Sequence, residues 1–378
     1  MKHSIIPIVF YSLVSMMSSS FCAAQERPAF DANYMESYDI PLYFNHRIED
    51  SILIDGLLDD VAWQEIPWTT DFVDIEGSEH NRPDHRTRAK MCWNQDYLYI
   101  AAELQEDHIW ATFTERDDLV YLENAFEIFI DPNGDGHNYM ELQVNALNTI
   151  MDIYMLYPYK IDQGQSTHAI FGWHIDGLRH AVHINGTLND PSDIDTSWIV
   201  ELAIPRQTIG KLTTWKTLTD LWRINFCRVD WPLAIVDGAY IHPLSNHDHP
   251  PANYTAWSPT GEYDTHRPDR FGYVQKTFGI AYTNLENFEL DPDESIKTAL
   301  WDIFYQLKSC LREHKPDACT LQDLSIPRVE LEGYRFKPQL SYNPIGFDLY
   351  TRGTKARNTI VINEKGLLQT IATKDIRP

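Results

Sequence analysis

The chain has 378 residues, of which 43% are hydrophobic and 12% aromatic, a composition that excludes a wholly disordered or collagen-like chain. Lysine and arginine number 31 against 55 aspartate and glutamate residues, which gives a formal net charge of -24. This charge repels phosphate backbones and anionic lipid surfaces, so it disfavours nucleic acid and membrane surfaces as partners and favours a neutral or cationic ligand. The length predicts about two domains.

The N-terminal segment has the pattern of a secretory signal peptide. An apolar run over residues 5–17 follows a short basic start and precedes an Ala-x-Ala-like site that ends at Ala24. We therefore predict cleavage after Ala24 and a secreted or periplasmic protein without residues 1–24. A lipoprotein acylated at Cys22 is the less favoured alternative, because Phe21 occupies a position that usually needs a small residue. No later stretch reaches the ~18 uncharged apolar residues that a membrane span requires.

Four cysteines remain after the predicted cleavage, and an exported protein can oxidise them. Cys310 and Cys319 close a short loop near the end of a predicted helix, and we predict that they form a disulfide. Cys92 and Cys227 lie in strand-like runs and fit buried thiols equally well. No Cys-x-x-Cys spacing occurs, which disfavours a zinc site.

Residues 49–276 alternate apolar and polar side chains with a period of two, as in the runs 98–104 and 140–146. Clusters of Asn, Asp, Gly and Pro separate these runs, and no long helical pattern interrupts them. The pattern predicts a mostly β fold, an antiparallel, jelly-roll-like β-sandwich over residues 49–276.

The segments outside this region have different patterns. Residues 25–48 have no clear period and are predicted to form an extended N-terminal extension. Residues 293–314 place apolar side chains at helical spacing, and two strand-like runs follow them. Residues 277–378 are therefore predicted to form a small α+β appendage.

Within the predicted sandwich, seven short segments are informative when they are taken together in chain order. The Glu123–Pro132 segment is the most distinctive of them. The segments are Ile54–Trp63, Cys92–Ala102, Glu123–Pro132, Ile199–Pro205, Trp222–Phe226, Trp257–Pro259 and Arg267–Gly272.

Taken together and in this order, the segments resemble the family 9 carbohydrate-binding module. The resemblance implies a β-sandwich that holds sugar units between aromatic rings, commonly with structural calcium, and usually attached to a glycan-degrading enzyme. The family's two sandwiching tryptophans fall at Tyr121 and near His266 in this sequence, and an arginine of the family's site falls at Gln143. A carbohydrate, as a mono-, oligo- or polysaccharide, is therefore the expected partner.

Sugar recognition needs flat apolar rings and planar polar groups. We predict that Tyr121 and Trp257 stack on the sugar. Glu141, Gln143 and Asn145 share one face of a strand that follows Glu127, so two strands are expected to present carboxylates and amides together; a solvated sheet face is the alternative. The side chains predicted to bind sugar hydroxyls are Glu123, Asn124, Gln143, Asn145, Arg228 and His266.

Asp131, Asn133 and Asp135 copy the first half of an EF-hand calcium loop. The twelfth position is Leu142, where such a loop needs a bidentate Glu, and strand-like runs flank the segment. A hairpin turn is therefore the favoured interpretation, and a structural calcium ion at these three residues is the alternative.

The function that we predict is that of a secreted, non-catalytic carbohydrate-binding protein. One alternative is a glycan hydrolase that uses Glu127 and Glu141 as its two carboxyl groups. Another is an interaction module whose appendage, residues 277–378, docks a partner enzyme. No catalytic cofactor is expected.

Overall fold

The computed structural model describes residues 40–162, 168–212, 219–241, 252–278, 288–326, 329–331, 334–354 and 358–372. The predicted signal peptide, its cleavage site and residues 25–39 of the predicted extension lie outside these ranges. In the part of the chain that the structure describes, no helix is long and apolar enough to cross a membrane.

A sandwich of thirteen strands makes up most of the described chain. The mostly β sandwich fold predicted from the alternating runs is confirmed. The strands are β1 (Leu42–Arg47), β2 (Val73–Asp74), β3 (Thr87–Trp93), β4 (Tyr97–Gln105), β5 (Ala125–Asp131), β6 (Tyr139–Asn145), β7 (Ile150–Met155), β8 (Ala169–Ile170), β9 (Arg179–Asn185), β10 (Ser197–Pro205), β11 (Leu221–Asp230), β14 (Asn253–Ala256) and β15 (Gly272–Lys276).

The sandwich has two layers that share strand β1. The first layer runs β8-β7-β6-β5-β11-β15-β1, with β14 and β2 added beside β11, and the second runs β1-β3-β4-β10-β9. Strand β1 pairs in parallel with β15 through its first residues and with β3 through its last two. The other pairs of this sheet are antiparallel, so β1 departs from the predicted antiparallel arrangement because it fills the gap between two layers.

The alternation along each strand separates a core face from an outer face. In β5, Phe126, Ile128 and Ile130 point between the layers and pack with second-layer residues such as Leu98 and Ile100. The intervening residues of β5 point to the opposite face of the first layer. That face carries a second apolar cluster, and the candidate site lies on it.

The appendage has its own apolar core, built by one long helix and a four-stranded sheet. The sequence predicted this helix over 293–314, and α3 ends one residue earlier. A disulfide joins Cys310 and Cys319, whereas Cys92 and Cys227 are free and buried. The elements of the appendage are α3 (Asp293–Glu313), β16 (Val329–Leu331), β17 (Tyr334–Phe336), β18 (Gln339–Asn343), β19 (Gly346–Arg352), β20 (Asn358–Asn363) and β21 (Leu368–Ala372).

Two short helices and one hairpin complete the regular elements of the sandwich region. Single 3-10 turns lie at 120–122, 159–161 and 268–270, and another lies at 316–318 in the appendage. The helices and hairpin strands are α1 (Val61–Glu65), α2 (Arg206–Lys211), β12 (Ala234–Val236) and β13 (Ala239–Ile241).

The turn between β5 and β6 packs directly against the appendage. Gly136 has a φ of 79°, and a Cβ at this position would lie 2.6 Å from the Trp301 ring of α3. The backbone N–H of Leu368 donates to the Asp135 carbonyl at 3.0 Å. Glycine is therefore required here both for its backbone conformation and for the close approach of α3.

An ion-pair network forms the second contact with the appendage. Arg267 donates to both carboxylate oxygens of Asp269, at 2.9 and 2.7 Å, and its guanidinium stacks on the Tyr305 ring of α3. Arg270 donates to Asp302 of the same helix at 2.6 Å. The appendage is thus joined to the sandwich through buried charges as well as apolar packing.

Candidate functional site

Three polar side chains lie together on the outer face of the first layer. Glu127 of β5 pairs directly with Gln143 of β6, and Glu141 lies two residues before Gln143 on the same face. Directly opposed side chains of an antiparallel pair have Cβ atoms about 4.5–5.5 Å apart. We name Glu127, Glu141 and Gln143 the polar strip.

Two acceptor atoms of the polar strip are buried and have no hydrogen-bond partner among the described residues. They are Glu127 Oε2 and Gln143 Oε1. The Gln143 amide donates from Nε2 to Glu141 Oε1 at 2.6 Å, so this donor is occupied while the amide oxygen is not. Glu127 and Gln143 are each 2% exposed. A buried acceptor without a donor costs about 1–3 kcal/mol, and native proteins rarely leave one unfilled.

Aromatic side chains surround the polar strip. Tyr254 and Tyr263 meet edge to face at 5.2 Å beside Glu127, whose charge contributes to the raised pKa values of both phenols after burial. His266 and Tyr159 meet edge to face at 5.0 Å on the Glu141 side. We name the following five residues the aromatic rim: Tyr121, Tyr159, Tyr254, Tyr263 and His266.

Tyr121 and His266 lie at opposite ends of the polar strip. Tyr121 belongs to the turn before β5, near the pair formed by Ala125 and Asn145. His266 contacts Phe129, at the other end of the same register, with ring centroids 5.4 Å apart. A ligand over the strip would therefore have one ring at each end.

His266 is held by neighbours of the strip. Its Nδ1 lies 2.8 Å from the Tyr139 hydroxyl, and its Nε2 lies 3.6 Å from Glu141 Oε2. The ring is thus fixed between a phenol and a carboxylate.

Burial dominates the electrostatics of the polar strip. It raises the pKa of the Glu127 carboxyl well above the ordinary value, and the nearby charge of Glu141 raises it further. Burial and then the Glu141 charge also raise the pKa of Tyr121. Without a ligand, the strip therefore favours a protonated Glu127.

The structure places two predicted sugar ligands, Glu123 and Asn145, in loop-closing roles. Glu123 accepts hydrogen bonds from the backbone N–H groups of Thr112 and Phe113, at 2.9 and 3.1 Å. Asn145 donates to the Phe113 carbonyl at 2.9 Å and accepts from the Thr149 N–H at 2.9 Å. Both side chains therefore hold the loop at residues 112–113 against the end of the sheet.

Asn124 and Arg228, also predicted to bind sugar, belong to a separate buried cluster. Asn124 donates to Glu106 at 2.5 Å, and Arg228 lies 3.3 Å from the same carboxylate and 3.2 Å from Asp230. Trp198 donates to Glu106 at 2.8 Å. Burial raises the pKa of Glu106 to about 7 despite the Arg228 charge. These polar groups are bound to one another and not to the polar strip.

Trp257 lies in the core of the sandwich. It is 3% exposed, its ring meets Tyr43 edge-on at 6.3 Å and Phe226 at 5.8 Å, and it packs on the backbone of Gly272. The prediction that Trp257 stacks on a ligand is therefore corrected, because no face of the ring is open.

The Asp131 turn is closed by its own hydrogen bonds. Asp131 accepts from the N–H groups of Gly134 and Gly136 at 2.8 and 2.9 Å, and Asn133 donates to Asp135 at 2.6 Å. Burial, and then the Asp135 charge, raise the pKa of Asp131 to about 7. This is the hairpin turn that the sequence favoured, and calcium at these residues stays a prediction.

The sequence pattern correctly placed Glu127, Glu141 and Gln143 on neighbouring strands of one sheet face. It did not indicate Tyr159, Tyr254 or Tyr263 of the aromatic rim. Tyr254 reaches the strip because β14 pairs with β11, and no pattern in the sequence indicates that pairing. Tyr159 lies in a 3-10 turn and Tyr263 in a loop, where the alternation of a strand gives no information about side-chain direction.

The fold is a β-sandwich with a polar, aromatic-lined strip on one outer face. Residues 54–226 match the family model described as carbohydrate family 9 binding domain-like.

Two similar solved structures are family 9 carbohydrate-binding modules from Caldicellulosiruptor kristjanssonii. The one in complex with cellotriose is 14% identical, with a TM-score of 0.40, and covers 66% of this chain and 100% of its own. The one in complex with glucose is 16% identical, with a TM-score of 0.40, and covers 64% of this chain and 99% of its own. No curated protein matched the chain.

Proposed function

We propose that this chain is a secreted, non-catalytic carbohydrate-binding protein that holds a sugar over the polar strip. The observation that carries the proposal is the pair of unfilled, buried acceptors, Glu127 Oε2 and Gln143 Oε1, beneath an aromatic rim. The family of residues 54–226 supports it. A partner glycan-degrading enzyme belongs to the same proposal.

The proposed binding mode follows from the positions of these atoms. Hydroxyl or other N–H and O–H groups of the sugar donate to Glu127 Oε2 and Gln143 Oε1, which removes their desolvation cost. Tyr121 and His266, at the two ends of the strip, contact the apolar C–H faces of the sugar ring. The aromatic rim excludes water from these hydrogen bonds and so strengthens them.

Tyr121→Ala is expected to weaken glycan binding by about tenfold or more, which corresponds to about 1.4 kcal/mol, because it removes the ring at one end of the strip. A glycan array followed by titration calorimetry on the mature protein measures the effect. Urea unfolding of both proteins shows that the fold is kept. Tyr342→Ala in the appendage, where the ring is 38% exposed, is the matched control.

Equal affinity of the wild type and Tyr121→Ala would contradict the proposed platform. The same samples are assayed for released reducing ends. If the wild type releases reducing ends and Glu127→Gln does not, the protein is a hydrolase that uses Glu127 and Glu141 as its carboxyl pair, and the non-catalytic proposal is wrong.

The predicted calcium ion gives a separate test at the Asp131 turn. Carboxylates bind calcium in the ionised form, and the pKa of Asp131 is raised to about 7, so calcium binding there would release a proton and strengthen as pH rises from 6 to 8. Calcium at 100 times its Kd would stabilise the fold by about 2.7 kcal/mol. Thermal unfolding with calcium or with chelator, in wild type and Asp131→Asn, measures it. Identical curves for the wild type in both buffers would exclude a calcium site.

A further inference from the structure

Glu127 differs from the other buried carboxylates of the sandwich in having neither a described counter-charge nor a described N–H donor. Asp152 lies 2.5 Å from Arg116, and Asp269 lies 2.7 Å from Arg267. Glu201 lacks an arginine but accepts N–H groups from Trp63 and from the backbone of residues 55 and 56. Glu127 Oε2 has neither kind of partner among the described residues.

The described groups that face Glu127 are neutral or negative. They come from each strand packed against β5 and from the loop after β14, and Glu141 is the charged group whose field acts on Glu127. His266 reaches Glu141 and not Glu127. The groups around Glu127 are Glu141 and Gln143 of β6, Cys227 of β11, Tyr254 of β14 and Tyr263.

We propose that the ligand itself supplies the missing cation, and that the sugar bound at this site is an amino sugar with a free amine. The inference rests on the function proposed above and names the class of sugar. A primary ammonium carries three N–H donors and one positive charge. The polar strip offers a matching set of acceptors in Glu127 Oε2, Gln143 Oε1 and the Glu141 carboxylate.

Neutral sugars match this set of acceptors less well. A hydroxyl donates one hydrogen bond and leaves two buried carboxyl groups, Glu127 and Glu141, without a cation. An N-acetylated amine also has a single N–H and no charge. Of these groups, only the ammonium brings a positive charge to the buried Glu127 carboxyl, and the chain's net charge of -24 attracts it from a distance.

The aromatic rim indicates a sugar and not a linear polyamine. The rings of Tyr121 and His266 lie at the two ends of the strip and suit a pyranose ring between them. A flexible polyamine has no flat face to bury against them.

Binding of an ammonium beside Glu127 also changes the protonation of the Glu127 carboxyl group. The free carboxyl favours the protonated form, and an adjacent cation favours the ionised form. Binding of the charged amine therefore favours loss of the carboxyl proton to buffer. The released proton makes the measured enthalpy of binding depend on the ionisation enthalpy of the buffer.

The test compares four probes on the full mature protein by calorimetry at pH 6 in two buffers. The probes are the glucosamine trimer, the N-acetylglucosamine trimer, cellotriose and spermidine. We expect the glucosamine trimer to bind at least about tenfold more tightly than the other three, with proton release for it alone. Glu127→Gln is expected to abolish both the preference and the proton release.

Glu65→Gln, which removes an exposed carboxylate of α1 on the far layer, is the charge-matched control and should keep the preference. Urea unfolding checks the fold of both variants; removing a buried carboxyl without a partner is expected to leave stability unchanged or raised. If cellotriose binds as tightly as the glucosamine trimer, the amine inference is overturned and the proposed function stands. If spermidine binds as tightly as the glucosamine trimer, the inference that the amine belongs to a sugar is overturned. If no trimer binds, the proposed function fails with it.

Discussion

Trp257→Ala is expected to lower the free energy of unfolding by about 3–5 kcal/mol, the usual cost of truncating a large buried aromatic side chain. The ring is 3% exposed and fills the space among Tyr43, Phe226 and the Gly272 backbone. Its removal leaves a cavity between the layers that the surrounding strands cannot close without losing their pairing. Urea unfolding followed by fluorescence measures the change in midpoint.

Tyr121→Ala separates this core role from a binding role. Tyr121 is half-buried on the outer face, so its truncation is expected to change affinity with little change in stability. An unchanged unfolding midpoint for Trp257→Ala, together with lost glycan binding, would restore the original prediction that Trp257 stacks on the ligand.

Asp269→Ala is expected to lower the free energy of unfolding by about 3–5 kcal/mol, because it removes the bidentate partner of a buried arginine. Arg267 makes two hydrogen bonds to Asp269, and Arg270 lies 3.4 Å from the same carboxylate. Tyr305 of α3 also reaches it, at 3.5 Å. The substitution should therefore loosen the contact between the appendage and the sandwich, which limited proteolysis detects.

The Asp269 effect has a defined dependence on pH. Burial alone would raise the pKa of Asp269, but the charges of Arg267 and Arg270 outweigh it and hold the pKa below the ordinary carboxyl value. Its contribution to stability is therefore complete above pH ~4, the unfolded pKa, and is lost as pH falls through the lower folded pKa. The difference between wild type and Asp269→Ala should shrink in that acid range.

Asp59→Ala is the control, since this aspartate is exposed and its loss should change stability by less than about 0.5 kcal/mol. A loss of stability in Asp269→Ala that stayed constant from neutral pH to pH 2 would contradict the ionic origin of the effect.

The Asp269 network also changes how the appendage is understood. From the sequence, residues 277–378 are a separate unit that could be removed without affecting a site on the sandwich. In the structure, Asp302 and Tyr305 of α3 contact the segment that follows His266 directly. The appendage thus supports the segment that carries His266, at one end of the aromatic rim. We therefore expect removal of the appendage to disturb the site through the contacts of Arg267.

Local pattern was enough to predict the elements and part of the site. A period of two predicts a strand and the face that each side chain occupies, which placed Glu141 and Gln143 together opposite Glu127. Helical spacing predicted α3 to within one residue. These features depend on residues that are close together in the chain, and such local patterns can be read from the sequence alone.

Long-range pairing decided the rest. Arg228 and Trp257 have the chemistry of sugar ligands, but Arg228 is paired with Glu106 and Asp230, and Trp257 is buried in the core of the sandwich. Tyr254 faces the strip because β14 pairs with β11. A residue type fixes what a side chain can bind, whereas burial and partners from distant segments fix what it does bind. The sequence by itself therefore determined the strands, the helix and the composition of the strip. The tertiary structure alone decided which polar groups are already paired and which have no partner among the described residues.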